Sequence, residues 1–402
     1  MPLSALEQRL VDSLAPRREE MIADLRTLVA IPTGHRHEAG LEETRSILIG
    51  RLTALGATPH RVSGDPAPDW LREGAVTADP QRPPPFIVCR KERPNARVRI
   101  LLCGHVDTVH DPAGDFRELS IAPGGKTATG PGCVDMKGGL LVALAALRAI
   151  EEQDLPVSWS FAIVSDEETG SFHCDRALRE EAARGYDAAL VFEPALPDGG
   201  LVVERMGSGQ FIIECGGKAA HVGRDFVHGV SAVHALAQAV DRAMRFADPA
   251  RGLIVNIGPL EGGSATNVVP DSARAWGNVR VGSEAAYQSI REALAGMATV
   301  GGLPSTRVQL VFNRPPKPLT PAVQALADLA RGVSEDLGRP LPFGRTGGVC
   351  DGNNIQASGV PTLDTLGVRG GGLHTTDEWI ELDSLVERTQ MTAVLLARLA
   401  NR

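Results

Sequence analysis

Acids and histidines fall, in order, at the ends of apolar β-patterned runs: His105 and Asp107, then Asp135, Glu167 with Glu168, Glu193, and far downstream His374. Imidazole and carboxylate are ligands that Zn2+ accepts, and the set is large enough to hold two metal ions. Of two adjacent carboxylates, one can bind metal while its neighbour moves protons. A chain built this way must bring several strand ends to one place. The chemistry it implies is metal-dependent hydrolysis.

The periodicity says how that can happen. Residues 6–14 and 18–29 carry apolar side chains at helical spacing on either side of Pro16, and 42–55 repeats the pattern up to Gly56. Short β-rich runs follow at 86–89, 98–102, 157–164 and 188–192, with a helix over 137–150 among them. Strands apolar on both faces and separated by helices indicate an α/β sheet covered on both sides. In an open sheet of this kind the carboxyl ends of the strands line one crevice, where His105, Glu167, Glu168 and Glu193 would approach one another.

Near Met206 the rhythm changes. Strand 211–215, helix 230–245, strands 253–257 and 272–281, helix 284–298 and strand 307–312 give the β-α-β-β-α-β order of a ferredoxin-like unit. A Pro-rich exit at 314–318 leads to a helix over 321–337, a Gly-rich loop at 344–352, a strand at 361–366 and a last helix over 382–400. The expected organisation is a mixed-sheet α/β catalytic domain, 1–206 with 316–402, carrying an inserted domain at 207–315. The Pro-rich stretch 66–85 reads as surface loop.

Each motif has a catalytic and a plainer reading. Asp107 shares a strand face with His105 and can accept its second ring N–H, or the pair is a core histidine and a turn former. Asp135, in a glycine-bounded turn from Gly130 to Gly139, can bridge two cations or cap a helix. Glu167 and Glu168 are costly neighbours unless positive charge lies close, or they form a solvated acidic loop. Glu193 before Pro194 is a ligand or a loop acid, and His374 after three glycines can approach a metal without crowding. Asp377 and Glu378 read as polar loop or helix-entry residues.

Six cysteines without a C-x-x-C pair suggest small buried hydrophobes, with Cys133 and Cys350 as candidate accessible thiols inside motif loops. A net charge of −8 gives no electrostatic reason to approach nucleic acid or anionic membrane. The first 30 residues alternate apolar and charged side chains, unlike a signal peptide, so a cytoplasmic protein is expected.

Gly104-His105-Val106-Asp107-Thr108, Gly132-Cys133-Val134-Asp135-Met136-Lys137-Gly138-Gly139, Asp166-Glu167-Glu168-Thr169-Gly170 and Gly217-Lys218-Ala219-Ala220-His221 resemble the zinc-dependent amidohydrolases. That family includes acetylornithine deacetylase, succinyl-diaminopimelate desuccinylase, aminoacylase and glutamate carboxypeptidases of the carboxypeptidase G kind. The resemblance runs over essentially the whole chain. It implies two zinc ions per chain, with Co2+ or Mn2+ as alternatives: His105, Asp135 and Glu193 on one, Asp135, Glu168 and His374 on the other. It further implies Glu167 as general base, Asp107 as partner of His105, and a cis peptide at Asp135-Met136.

By the same resemblance the inserted domain is a lid that dimerises and carries His221 to the other subunit's active site, where it stabilises the tetrahedral intermediate. Asn267 and Arg280 match substrate-contacting positions, Arg280 as partner of a substrate carboxylate. Arg314, Arg345 and Gly348 look most like the substrate loops of the glutamate carboxypeptidase branch, although Cys350 departs from the small residue common there. The implied reaction is hydrolysis of the amide between an acyl group and an amino acid with a free α-carboxylate. An acetylornithine-type deacylase or a dipeptidase would share the metals and differ in the pocket, whereas a non-catalytic binding protein would not need an intact Glu167.

Overall fold

The computed structural model describes residues 2–34, 37–71 and 83–401. Its main sheet has six strands in the order Thr58–Val62, Phe86–Lys91, Val157–Val164, Val98–His105, Ala188–Val191 and Thr362–Leu363. The first three pair antiparallel, and the last four run parallel. This is a mixed α/β sheet, and the alternation of its side chains explains why both faces are covered. Ile100 and Leu102 join a core formed with helices Ala5–Leu14, Arg18–Val29, Gly138–Glu152 and Asp383–Ala400. Leu101 and Cys103 point the other way, into a core shared with helices Asp175–Ala182 and Asp351–Ala357.

Between Gly207 and Arg314 the chain forms four antiparallel strands in the order Leu253–Gly262, Ser272–Val281, Gly207–Gly216 and Ser305–Arg314. Helices Ala232–Met244 and Glu284–Ala295 complete the β-α-β-β-α-β sequence, and each is N-capped by a serine, Ser231 and Ser283. This unit has its own apolar core, with Phe211, Ile213, Leu236, Val255, Val279, Ile290 and Leu294. The two connections run side by side. Arg205 and Lys317 exchange backbone hydrogen bonds of 2.9 and 3.0 Å, and both side chains reach the buried Asp364, at 2.9 Å from Arg205 Nη2 and 3.2 Å from Lys317 Nζ.

Some expectations need correction. The Gly-rich loop 344–352 overlaps a strand, Phe343–Thr346, that pairs in parallel with Leu201–Arg205 and is followed by the helix Asp351–Ala357. Cys133 and Cys350 are not accessible thiols: both are buried, and burial raises their pKa above the ordinary thiol value. Of the expected surface loop 66–85, residues 72–82 lie outside the described residues. No helix among the described residues is long and apolar enough to cross a membrane.

Candidate metal centre and active site

Three neighbouring parallel strands deliver the acids. His105 ends Val98–His105, Glu167 and Glu168 follow Val157–Val164 on one side, and Glu193 follows Ala188–Val191 on the other. Asp135 arrives on the turn before helix Gly138–Glu152, and its peptide to Met136 is cis. That turn demands its glycines. Gly132 has φ +69°, and a Cβ on Gly139 would lie 2.0 Å from the Phe192 carbonyl oxygen. The helix can start against the Glu193 strand only because Gly139 has no side chain.

The five residues read from the sequence as metal ligands converge. His105 Nε2 lies 3.2 Å from Asp135 Oδ1 and 3.8 Å from Glu193 Oε2. On the other side His374 Nε2 lies 3.7 Å from Asp135 Oδ2 and 3.2 Å from Glu168 Oε2. Tetrahedral zinc with bonds of roughly 2.0–2.1 Å separates its donors by about 3.3 Å. Asp135 Oδ1 therefore faces His105 and Oδ2 faces His374, and each histidine also approaches one glutamate; His105, Glu167 and Glu193, and His105, Asp135 and Glu168, each bring donor atoms within 4.8 Å of one another, which suits metal ions sharing Asp135.

Electrostatics argue the same way. Asp135, Glu167, Glu168 and Glu193 are crowded where burial disfavours their ionised forms. Burial raises Glu193 and Glu167, and pushes Glu168 up to about 7 against the pull of His374. His105, despite burial, is held above its usual value by Asp107, Asp135 and Glu193, while Asp135 and Glu168 raise His374 to about 10. The site concentrates negative charge that divalent cations would neutralise.

Asp107 does more than orient a ring. The nearest acceptor for His105 Nδ1 is the Asp107 carbonyl at 2.9 Å, with its carboxylate at 3.5 Å. That carboxylate also accepts from the backbone N–H groups of Glu167, at 3.2 Å, and Glu168, at 2.9 Å. It thus ties the ends of two strands together.

The expected substrate residues are placed unequally. Arg280 is half-buried, and its Nη1 is buried without a hydrogen-bond partner among the described residues. Burial lowers its pKa. Arg314 departs from the substrate reading, since its buried side chain is engaged by Asp351 and Glu167 at 2.6 and 2.9 Å. Arg345 is exposed and lies 3.5 Å from Glu204. Gly348 is exposed, and its carbonyl accepts from Arg205 at 3.3 Å. His221 and Asn267 are exposed on the 207–314 unit, where His221 Nδ1 accepts from Gly223 N.

Glu378 is not the polar loop residue that the sequence suggests. It is buried, and its carboxylate accepts from the backbone N–H groups of Gly132, Val134 and Asp135 at 2.8, 2.9 and 3.0 Å. His110 Nε2 is a fourth partner at 2.6 Å. The loop that carries His374 is thereby fastened to the loop that carries Asp135. The available signal was an acid four residues from a candidate ligand, which also describes any helix entry.

A model of the peptidase family M20/M25/M40 matches residues 101–398. The chain belongs to this family. M20 enzymes are hydrolases and generally dinuclear and metal-dependent. Similar curated proteins include carboxypeptidase G2 of Pseudomonas sp. (strain RS-16), 28% identical over 96% of this chain and 91% of that one. Succinyl-diaminopimelate desuccinylase of Methylorubrum populi is 29% identical over 74% of this chain and 82% of its own. Among solved structures, a tripeptidase from Staphylococcus aureus has the same fold, with a TM-score of 0.74 at 22% identity over 96% of this chain and 99% of that one.

Proposed function

We propose that the chain is a dizinc amidohydrolase of the carboxypeptidase G kind, releasing an amino acid with a free α-carboxylate, glutamate or aspartate, from an acyl or peptidyl group. The observation that carries this reading is Arg280, whose buried Nη1 has no partner among the described residues. An unpaired buried guanidinium nitrogen is costly, and a carboxylate is the group that its fork matches. The likeness to carboxypeptidase G2 over nearly the full length of both chains supports the same choice.

In this reading His105, Asp135 and Glu193 hold one zinc, and Asp135, Glu168 and His374 hold the other. Bound zinc supplies Lewis acidity toward the scissile carbonyl and lowers the pKa of water. Glu167 takes the proton of the attacking water and passes it to the leaving amine. Asp107 fixes His105 and the Glu167–Glu168 backbone, and Arg280 orients the substrate through its carboxylate. Asn267 adds a polar contact on the substrate.

The 207–315 segment acts as an inserted lid and dimerisation domain. Val222, Phe226, Val227, Val233 and Val268 are exposed apolar side chains in the segments around His221, and a second copy covering them would carry His221 to the neighbouring site. There it donates to the developing oxyanion.

The test compares an N-acyl glutamate with its α-carboxamide. Wild type prefers the acid, and Arg280→Ala loses most of that preference together with about 10- to 100-fold in kcat/KM, the worth of a charge-assisted contact of roughly 1.5–3 kcal/mol. Lysine rescues only in part, because it lacks the fork. Equal preference in both proteins would remove Arg280 from the site and favour a dipeptidase or neutral-substrate reading.

A further inference from the structure

We infer that Arg314 is a positioning residue for the general base and not a binding group for substrate, an inference that rests on reading Glu167 as that base. Arg314 ends the strand Ser305–Arg314, yet its side chain is only 2% exposed. Nη2 donates to Glu167 Oε1 at 2.9 Å and to Ser171 Oγ at 2.7 Å, and Nη1 donates to Asp351 Oδ1 at 2.6 Å. Ser171 Oγ in turn donates to that Asp351 oxygen at 2.7 Å, which closes a ring of Arg314, Ser171 and Asp351. Both terminal nitrogens of the fork are therefore already occupied by protein. Nε is the one guanidinium nitrogen without a partner among the described residues.

The arrangement does something definite to Glu167. Its carboxylate is fixed through one oxygen, so the other is the oxygen available for proton transfer. The ring also has an address in the fold. Arg314 pairs with Ser208 across the two chain segments that lead into and out of the 207–314 unit, while Ser171 and Asp351 belong to the main domain. The base is consequently oriented by a residue rooted at the neck of the inserted unit. A residue of this kind contributes to the chemical step, whereas a substrate cation contributes to binding as well.

The experiment uses zinc-loaded full-length protein and Arg314→Lys, which keeps the charge and removes the fork, alone and combined with Glu167→Gln. On an N-acyl glutamate substrate, Arg314→Lys is expected to lower kcat about 10- to 100-fold, the range for losing hydrogen bonds to a charged group. KM and the zinc content per chain stay near wild type. In the Glu167→Gln background the same substitution costs little more, because residues that act as a unit are not additive. A rise in KM with kcat preserved, or equal losses in both backgrounds, would overturn the inference. Near-normal turnover by Glu167→Gln would instead overturn the base reading, and the two failures are distinct. If Arg314→Lys does not fold, the charge-balanced pair Arg314→Gln with Asp351→Asn carries the same kinetic test, with the same expected and contradicting results.

Discussion

Replacing Glu378 by glutamine isolates the contact between the two ligand loops. The carboxylate accepts from Val134 N and Asp135 N on Oε1, and from Gly132 N and His110 Nε2 on Oε2. An amide has one acceptor end. With its NH2 group on the Oε1 side the amide meets the N–H groups of Val134 and Asp135; on the Oε2 side it meets Gly132 N–H and His110 Nε2, which accepts in its other tautomer, so at least one acceptor bond is lost and one N–H is left facing another donor. With hydrogen bonds to charged groups worth about 1.5–3 kcal/mol each, the loss is about 1.5–3 kcal/mol for the orientation that places the NH2 group beside His110. The Glu378 carboxylate holds the Asp135 backbone N–H and the turn around it, so weakening that contact reaches the metal centre. Groups that orient metal ligands typically cost 10- to 100-fold in affinity when mutated. Zinc affinity measured by competition with a chromophoric chelator should fall within about that range, and urea denaturation of chelator-treated protein should show the stability loss. Unchanged zinc affinity alongside a full loss of stability would refute the proposed link and leave Glu378 a purely structural residue.

Other outcomes follow from the same geometry. Inactive His221→Ala and inactive Glu167→Gln subunits, mixed and shown to form mixed dimers, should recover activity, since one site then combines an intact base with an intact His221; no recovery would exclude action in trans. Asp364→Asn strands the buried Arg205 and Lys317 and should cost about 3–5 kcal/mol in a denaturation experiment. Although burial opposes it, Arg205 and Lys317 hold the Asp364 pKa below the usual carboxylate value. Its stabilisation is therefore present above the ordinary carboxylate range and lost as pH falls through its folded pKa. The acid side of the stability profile should flatten in the variant; an unchanged acid limb would contradict the assignment.

The sheet was legible where burial is two-sided. The continuous apolar run 157–164 is a strand with the same bounds in the structure, and 98–102 extends only to His105. The edge strand Thr58–Val62 was not, because it is mostly exposed, contains Pro59 and carries no apolar signature. Short pairings such as Phe343–Thr346 with Leu201–Arg205 depend on partners more than 100 residues away and leave no local period. In the site, the ligand types and their order were readable because each closes an apolar strand or sits among glycines. What the sequence could not carry was the partner of each polar group. Arg314 looked like a substrate cation because its Arg-Pro-Pro context matched relatives, and only the packing of Ser171 and Asp351 around it shows its fork engaged. Glu378 was hidden for the same reason.

Five side chains, with Asp135 shared, are proposed to form a two-metal centre. Elemental analysis of zinc-saturated, gel-filtered wild-type protein tests it most directly. Two equivalents of zinc per chain are predicted; retention of well under two equivalents at saturating zinc would contradict the account.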